Sequence, residues 1–321
     1  MASQFLISVD LGGTKILSAL IDSQNQIVSR VKIPTETGKG AEYLVESVAA
    51  SVEQILKENN LKESNIKAVC MGVPGTVNPF SGEIGSAPNL GIKNYNIKKA
   101  LEKKISIPVL IENDVNLAGL GIKKFELSID VKNILVVFIG TGIGGALFFD
   151  GKLYRGSSFF AGEIGHMLVE PKGELATSFN RLTFELTASR TAIVRDIRRG
   201  LNKGKKSILR DYKSPKKQLK SKVLSDAVLK EDPLATKYVG RAAVTIGTIL
   251  GSVTTLLNID TIVLGGGVIE AMHDFMIPKI KKAFKESVLT EPGKNVKIFE
   301  TKLGDDAALY GGVALAEEFL K

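Results

Sequence analysis

The 321-residue chain has a single cysteine, Cys70, and two histidines, His166 and His273. One thiol excludes an internal disulfide framework and any zinc site built on several cysteines. Two imidazoles narrow the remaining metal chemistry further. The opening "MASQFLISVDLGG" has no basic flank, and Asp10 interrupts its short apolar run, so the pattern of a secretory signal is missing. A reducing cytoplasm is the expected location. Long uncharged runs are also scarce. One stretch, "AAVTIGTILGSVTTLLNI" at 242–259, goes eighteen positions without a charge and carries the Gly247-xxx-Gly251 spacing of membrane helix pairs. Its four threonines, serine and asparagine predict a buried helix of a soluble core instead, with no membrane partner.

Positive charge is in excess, at a net +9, and it is concentrated. Residues 195–222 hold twelve Lys/Arg against two Asp, so the rest of the chain is close to neutral. Such a run can meet nucleic acid, an anionic partner or only water. Tyr212 is its lone aromatic, which gives no interleaving for base stacking, and a nucleic-acid partner is not expected. With 44% apolar residues and 24% charged, the remainder reads as an ordinary globular protein, long enough for two domains.

"FIGTGIGGALFFDGK", residues 138–152, carries the G-x-G-x-x-G spacing of a dinucleotide-binding turn. That turn needs a helix to open after the glycines. An apolar run ending in Asp150-Gly151 follows instead, which is a hairpin signal. The same layout occurs at 9–28, "VDLGGTKILSALIDSQNQIV", with glycine and threonine at the first tip and an acid, Asp22 or Asp150, in the next turn. Strands are expected at 5–10, 15–22, 26–33, 66–73, 107–114 and 133–140, with a helix over 42–59. Two meander-plus-helix units predict two α/β lobes facing each other across a central cleft. Glycine-rich hairpin tips suit polyphosphate, because bare backbone N–H groups approach its oxygens closely. "DLGGTK" is not a P-loop, since a strand rather than a helix follows Lys15.

The ordered set "VDLGGTK", "APNLG" (87–91), "IENDVN" (111–116), "GTGIGG" (140–145), "GEIGHM" (162–167), "VLGGGV" (263–268) and "GDDAALYGGVALA" (304–316) resembles the ROK family, which combines sugar kinases with sugar-responsive repressors. The resemblance implies an actin-like ATPase fold of the hexokinase and ribonuclease H-like type. It implies a smaller lobe of residues 1–117 plus 304–321 and a larger one of 118–303. It further implies transfer of the γ-phosphate of ATP to a hexose hydroxyl, with glucose the leading candidate, and a homodimer. An N-acetylhexosamine kinase or a fructokinase is the alternative within the class. A regulator is disfavoured because the first strand starts near Phe5, leaving no room for a helix-turn-helix head.

Sugar phosphorylation needs a base beside the attacking hydroxyl. Asp114 lies just past an expected strand end, where it is either that base or a helix N-cap. With the family likeness it becomes the catalytic candidate, and Asn113 would hold neighbouring hydroxyls. The resemblance assigns Asn89, Glu163, His166 and Glu185 to the sugar. Gly12, Gly13, Thr14 and Lys15 would face the phosphates of ATP from one tip, and Thr141 and Gly142 from the other. Asp10 is the expected anchor of hydrated Mg²⁺. Gly265, Gly266 and Gly267 would accept the adenosine end, or serve only as a strand-to-helix turn.

Many ROK proteins carry a structural zinc site that begins at the G-H histidine and continues as C-x-C-G-x-x-G-C-x-E. In that register the three thiol positions here are Ala176, Ser178 and Thr183, and the terminal glutamate is Glu185. One histidine cannot supply the four ligands of such a site, so no zinc is expected. A hydroxyl of Ser178 or Thr183, or a backbone carbonyl, is then expected to orient His166.

Overall fold

Short apolar runs separated by tight turns dictate the first three strands. The computed structural model describes residues 5–170 and 182–320. In it, β1 (Phe5–Leu11), β2 (Lys15–Ile21) and β3 (Ile27–Pro34) form an antiparallel meander. β2 is buried at nearly every position, whereas β3 alternates, as a strand with one face toward water does. α1 (Ala41–Glu58) lays the stripe Leu44, Val45, Val48, Val52, Ile55 and Leu56 into the core. β4 (Ile66–Val73) then pairs parallel with β1.

A small antiparallel sheet follows, made of β5 (Thr76–Asn78), β6 (Glu83–Ala87) and β7 (Ile92–Asn96). α2 (Ile97–Glu102) leads to β8 (Val109–Asn113), which pairs parallel with β4, and α3 (Asp114–Phe125) begins without a loop. The first large sheet has the order β3-β2-β1-β4-β8.

The second half starts the pattern again with β9 (Ile134–Ile139), β10 (Ile143–Phe149) and a two-residue β11 (Lys152–Leu153). β9 and β10 are antiparallel around the Gly140-Thr141-Gly142 tip, so the G-x-G-x-x-G stretch is a hairpin and not a dinucleotide turn. Asp150 and Gly151, both at positive φ, make the next turn. After β12 (Leu168–Glu170), β13 (Leu182–Thr183) and α4 (Phe184–Ala188) come α5 (Arg190–Asn202), α6 (Ser221–Leu229) and α7 (Pro233–Leu257). β14 (Thr261–Gly265), α8 (Gly267–Ser287), α9 (Thr290–Gly293), β15 (Lys297–Glu300) and α10 (Asp306–Phe319) complete the chain. The run β10-β9-β14-β15 matches β2-β1-β4-β8 in order and in strand direction. The weak internal repeat of the sequence is thus a repeat of topology.

Two compact units result: Met1–Asp130 with Gly151–Ala161 and Asp305–Lys321, and Val131–Asp150 with Gly162–Gly304. A split at 117/118 would cut α3, which lies whole in the first unit. The reason is close packing on α10: a Cβ on Gly121 would collide with the Ala307 carbonyl, and one on Gly311 with the Leu117 carbonyl. In the second unit, α7 is long and apolar enough to cross a membrane, yet 56% of its most apolar window is buried. Gly247 and Gly251 of that helix sit against Ile280 and Ser287 of α8, so the small-xxx-small spacing serves a protein core. The basic stretch is organised around Arg198, whose guanidinium donates to the carbonyls of Tyr212, Ser214 and Lys217 at 3.1, 3.4 and 2.8 Å.

Candidate active site

In the first unit, the corner between β8 and α3 is built by side chains that satisfy the bare helix start. Asn113 Oδ1 accepts from the backbone N–H groups of Val115 and Asn116 at 2.9 and 3.1 Å, so Asn113 and not Asp114 is the N-cap. Asn113 Nδ2 donates to the Gly75 carbonyl at 3.0 Å. That leaves its carboxamide one N–H for anything else. Asp114 occupies the first helical position, and its Oδ1 shares the Val115 N–H at 2.9 Å. Behind the corner, Glu112 is fully buried. Its Oε1 accepts from the Asn113 N–H at 3.0 Å and from Asn116 Nδ2 at 3.1 Å, and its Oε2 accepts from Arg155 Nε at 2.7 Å.

Asp10 stands near the end of β1. Burial, together with the charge of Asp114, pushes its carboxyl up to about 7, against the opposing pull of Lys15. Asp305 adds to the upward push and forms an ion pair with Lys15. These four charged groups are therefore one electrostatic cluster. The β1–β2 tip is held by Gly12 N–H donating to the Lys15 carbonyl at 3.0 Å and by Thr35 Oγ1 donating to the Gly12 carbonyl at 2.7 Å. Gly13 and Thr14 are exposed. A Cβ on Gly13 would lie 3.6 Å from the Asn89 carbonyl, so the tip and the 87–91 stretch are neighbours.

In the second unit, the 140–142 tip is braced from α4 and α5. Glu185 Oε2 accepts from the Ile143 N–H at 2.8 Å and fills the space where Gly142 has no side chain. Arg190 Nη2 donates to Thr141 Oγ1 at 2.6 Å, its backbone N–H donates to the Gly140 carbonyl at 2.9 Å, and Thr191 Oγ1 donates to the Thr141 carbonyl at 2.7 Å. Gly165 packs on Ile143 and lies close to Glu185. Thr141, Gly142, Glu185 and the G-E-I-G-H turn are thus brought together. His166 is exposed, with Nε2 3.7 Å from Glu163 Oε2, too long for a hydrogen bond. The Thr183 hydroxyl accepts from the Leu186 N–H at 3.3 Å as the cap of α4. Ala176 and Ser178 lie outside the described residues.

The glycine triplet is a strand-to-helix turn, but its three members differ. A Cβ on Gly265 would press on Phe138 and Thr301 at 2.9 and 3.0 Å. Gly266 has φ +88° and faces Ile139 backbone atoms, so both are fixed by packing and conformation. Gly267 opens α8, and the nearest atom to its missing Cβ is Ser221 Oγ at 3.9 Å. Only this third glycine leaves open space at a helix N-terminus, where backbone N–H groups favour an anion or a polar ligand.

Arg190, Asp305, Glu112 and Arg155 were not apparent as site residues from sequence. Arg190 reads as part of the adjoining basic run and Asp305 as part of a helix start. Arg155 lies in a segment without motif character, and Glu112 reads as one more residue of the 107–114 strand.

A duplicated sheet of this order, each copy with a glycine-tipped hairpin, is the actin-like ATPase fold. The ROK family model matches residues 6–319, and the chain belongs to that family. It is 30% identical over 319 residues to a glucokinase of Halalkalibacterium halodurans, covering 99% of this chain and 96% of that enzyme. The structure of a ROK family glucokinase from Streptomyces griseus in complex with glucose and AMPPNP superposes with a TM-score of 0.83 at 28% identity, covering 98% and 99% of the two chains. The xylose repressor of Caldicellulosiruptor bescii is 23% identical over 310 residues, covering 97% of this chain and 77% of the repressor.

Proposed function

We propose that this protein is an ATP-dependent hexose kinase with glucose as its leading substrate, and that Asp114 is its general base. The observation that carries this is the β8–α3 corner. Asn113 takes the capping role, and the Asp114 carboxylate acts electrostatically on Asp10, the expected metal anchor. With the cap supplied by Asn113, the second oxygen of the Asp114 carboxylate is not needed for starting the helix. In the step, Asp114 accepts the proton of a sugar hydroxyl as that oxygen attacks the γ-phosphorus, and the bond to the ADP oxygen breaks. Asn89, Asn113, Glu163, His166 and Glu185 are the proposed sugar-holding set. Each tip, 12–15 in the first unit and 140–142 in the second, is the kind of glycine-rich turn whose backbone N–H groups suit phosphate oxygens.

Asp10 suits hydrated Mg²⁺, which takes one or two carboxylates and keeps most of its waters. Among the described residues no cluster of three His, Cys, Asp or Glu forms a closed cage, which a hydrated ion does not require. Asp10, held near neutrality by burial and by Asp114, gains most from a cation beside it. Bound Mg²⁺ would neutralise charge on the phosphates.

Full-length glucokinase relatives support a kinase, and both tips and both acids are present, as catalysis requires. Release of ADP from Mg-ATP, measured with glucose, mannose, fructose, N-acetylglucosamine and N-acetylmannosamine, tests the reading and selects the sugar. Transfer to one hexose that disappears in Asp114→Asn is the expected result. Absence of transfer to all five overturns it.

A further inference from the structure

Arg155 belongs to no recognised motif, yet it is the most heavily engaged arginine of the first unit. Its Nε meets the fully buried Glu112 at 2.7 Å, while Nη1 and Nη2 clasp Glu318 Oε1 and Oε2 at 2.8 and 3.1 Å. The guanidinium lies over the Phe319 ring, 5.7 Å from its centroid. Phe319 in turn packs at a tilt against Phe80, and Phe80 against Phe159, with centroids 5.5 and 5.2 Å apart. Phe159 holds φ +70°, a conformation that bulky residues rarely adopt without being locked by their surroundings. The segment Gly151–Ala161 is therefore fastened to α10 and to the β8–α3 corner by charge and by aromatic contact together.

The chemistry at the inner end decides what this does. Glu112 carries a buried negative charge, and its other oxygen fixes the Asn113 N–H and the Asn116 side chain. Asn116 Oδ1 is also buried, with no hydrogen-bond partner among the described residues, so the Asn116 side chain is held at this corner by its bond to Glu112. A buried carboxylate that loses its cation must draw in water, move or take up a proton. Each of these disturbs the backbone that aims Asp114.

We infer that Arg155 is a positioning residue for phosphoryl transfer: by neutralising Glu112 it holds the Asn113–Asp114 corner in its working geometry. This rests on the kinase reading above. Its effect falls on the chemical step, because its contacts lead to the β8–α3 corner through Glu112.

The test uses the full chain, with kcat and both KM values measured for the wild type, Arg155→Met, Arg155→Lys, Glu112→Gln and the double variant Glu112→Gln/Arg155→Met, each well below its melting temperature. Arg155→Met is expected to lower kcat by ~10- to 100-fold, the scale set by small misplacements of a catalytic group, with KM for ATP within about twofold. Arg155→Lys, which keeps a cation beside Glu112, recovers part of that loss. The double variant removes both buried charges while a Gln oxygen still accepts from Asn113 and Asn116, so its kcat exceeds that of either single variant. A purely structural clasp would lower melting temperatures and leave kcat of the folded protein alone. Wild-type kcat in folded Arg155→Met, or losses that simply multiply in the double variant, overturns the inference while leaving the kinase reading intact. No transfer by the wild type overturns both. Should Arg155→Met not fold, the Lys and double variants carry the same comparison.

Discussion

Glu185 Oε2 accepts the Ile143 N–H at 2.8 Å from the space that Gly142 leaves by having no side chain. A residue expected at the sugar and a residue expected at the phosphates therefore occupy one packed unit. Gly142→Ala places a methyl against the Glu185 carboxylate, which must swing away and give up the Ile143 N–H. The expected outcome is a rise of about tenfold or more in KM for the sugar, the scale of one lost hydrogen bond to a charged group, in a variant altered only at the phosphate tip. Steady-state kinetics with sugar and ATP varied in turn decide this. A variant whose only change is in KM for ATP shows that Glu185 does not hold the sugar.

At the β8–α3 corner the cap is Asn113, and the base proposed above is the next residue, Asp114. Because Asn113 supplies the cap, Asp114→Asn is expected to fold with nearly unchanged stability and to lose at least ~10²-fold in kcat, the low end for a positioned general base. Asn113→Ala is expected to cost ~0.5–2 kcal/mol of stability, the usual worth of an N-cap. Thermal melts beside kinetics on the two variants check the division. Loss of stability in the Asp variant and not the Asn variant would reverse the roles assigned here.

Much of this arrangement is legible in the chain because it depends on local pattern. The meander strands show as short apolar runs between tight turns, α1 as a stripe, and the repeat as glycine tips followed by an acid. What stays hidden depends on partners distant in sequence. Arg155 meets Glu112 and Glu318, 43 and 163 positions away, and nothing in "KLYRGSS" signals a buried ion pair. The three short strands β5 to β7 are too brief for alternation to register. The cap at Asn113 rather than Asp114 is a one-residue distinction that only backbone geometry fixes. Gly265 and Gly266 look like ligand-facing glycines until Phe138 and Ile139 are seen against them.

Two glycines on α7 give a stability test independent of function. A Cβ on Gly247 would collide with the Ile280 carbonyl and come within 2.9 Å of the Phe284 nitrogen, which is backbone and cannot yield. Gly247→Ala is expected to destabilise by ~1–3 kcal/mol or more through overpacking. A Cβ on Gly240, seven residues earlier on the same helix, would find its nearest atoms at 3.9 Å on the Phe275 ring. Gly240→Ala should therefore stabilise by ~0.4–1 kcal/mol through the less flexible unfolded chain. Opposite shifts of melting temperature for one chemical change would show that α7 and α8 pack at this register.

Asp10 links the site to stability against pH. Its carboxyl is raised from 3.8 to about 7, chiefly by burial and then by the charge of Asp114, so the fold favours the protonated form. The unfolded chain gives up that proton near 4, which makes the group's contribution fully present below that pH. As pH climbs through 7 the contribution is lost, and at pH 8 the metal-free protein carries an ionised carboxylate that its surroundings resist. Asn at this position has nearly the same shape and no charge. Asp10→Asn is therefore expected to melt at a similar temperature to the wild type at pH 4 and at a higher one at pH 8. The ceiling on the difference is ~4 kcal/mol at 1.36 kcal/mol per pH unit, reduced because the group is only partly buried. In the same variant, kinase activity is expected to fall by at least ~10²-fold if, as proposed above, Asp10 anchors the cation that neutralises the phosphates. Melts in buffer with a chelator, at both pH values, are the measurement. A variant no more stable than wild type at pH 8 would mean that Asp10 is neither strained by Asp114 nor waiting for a cation.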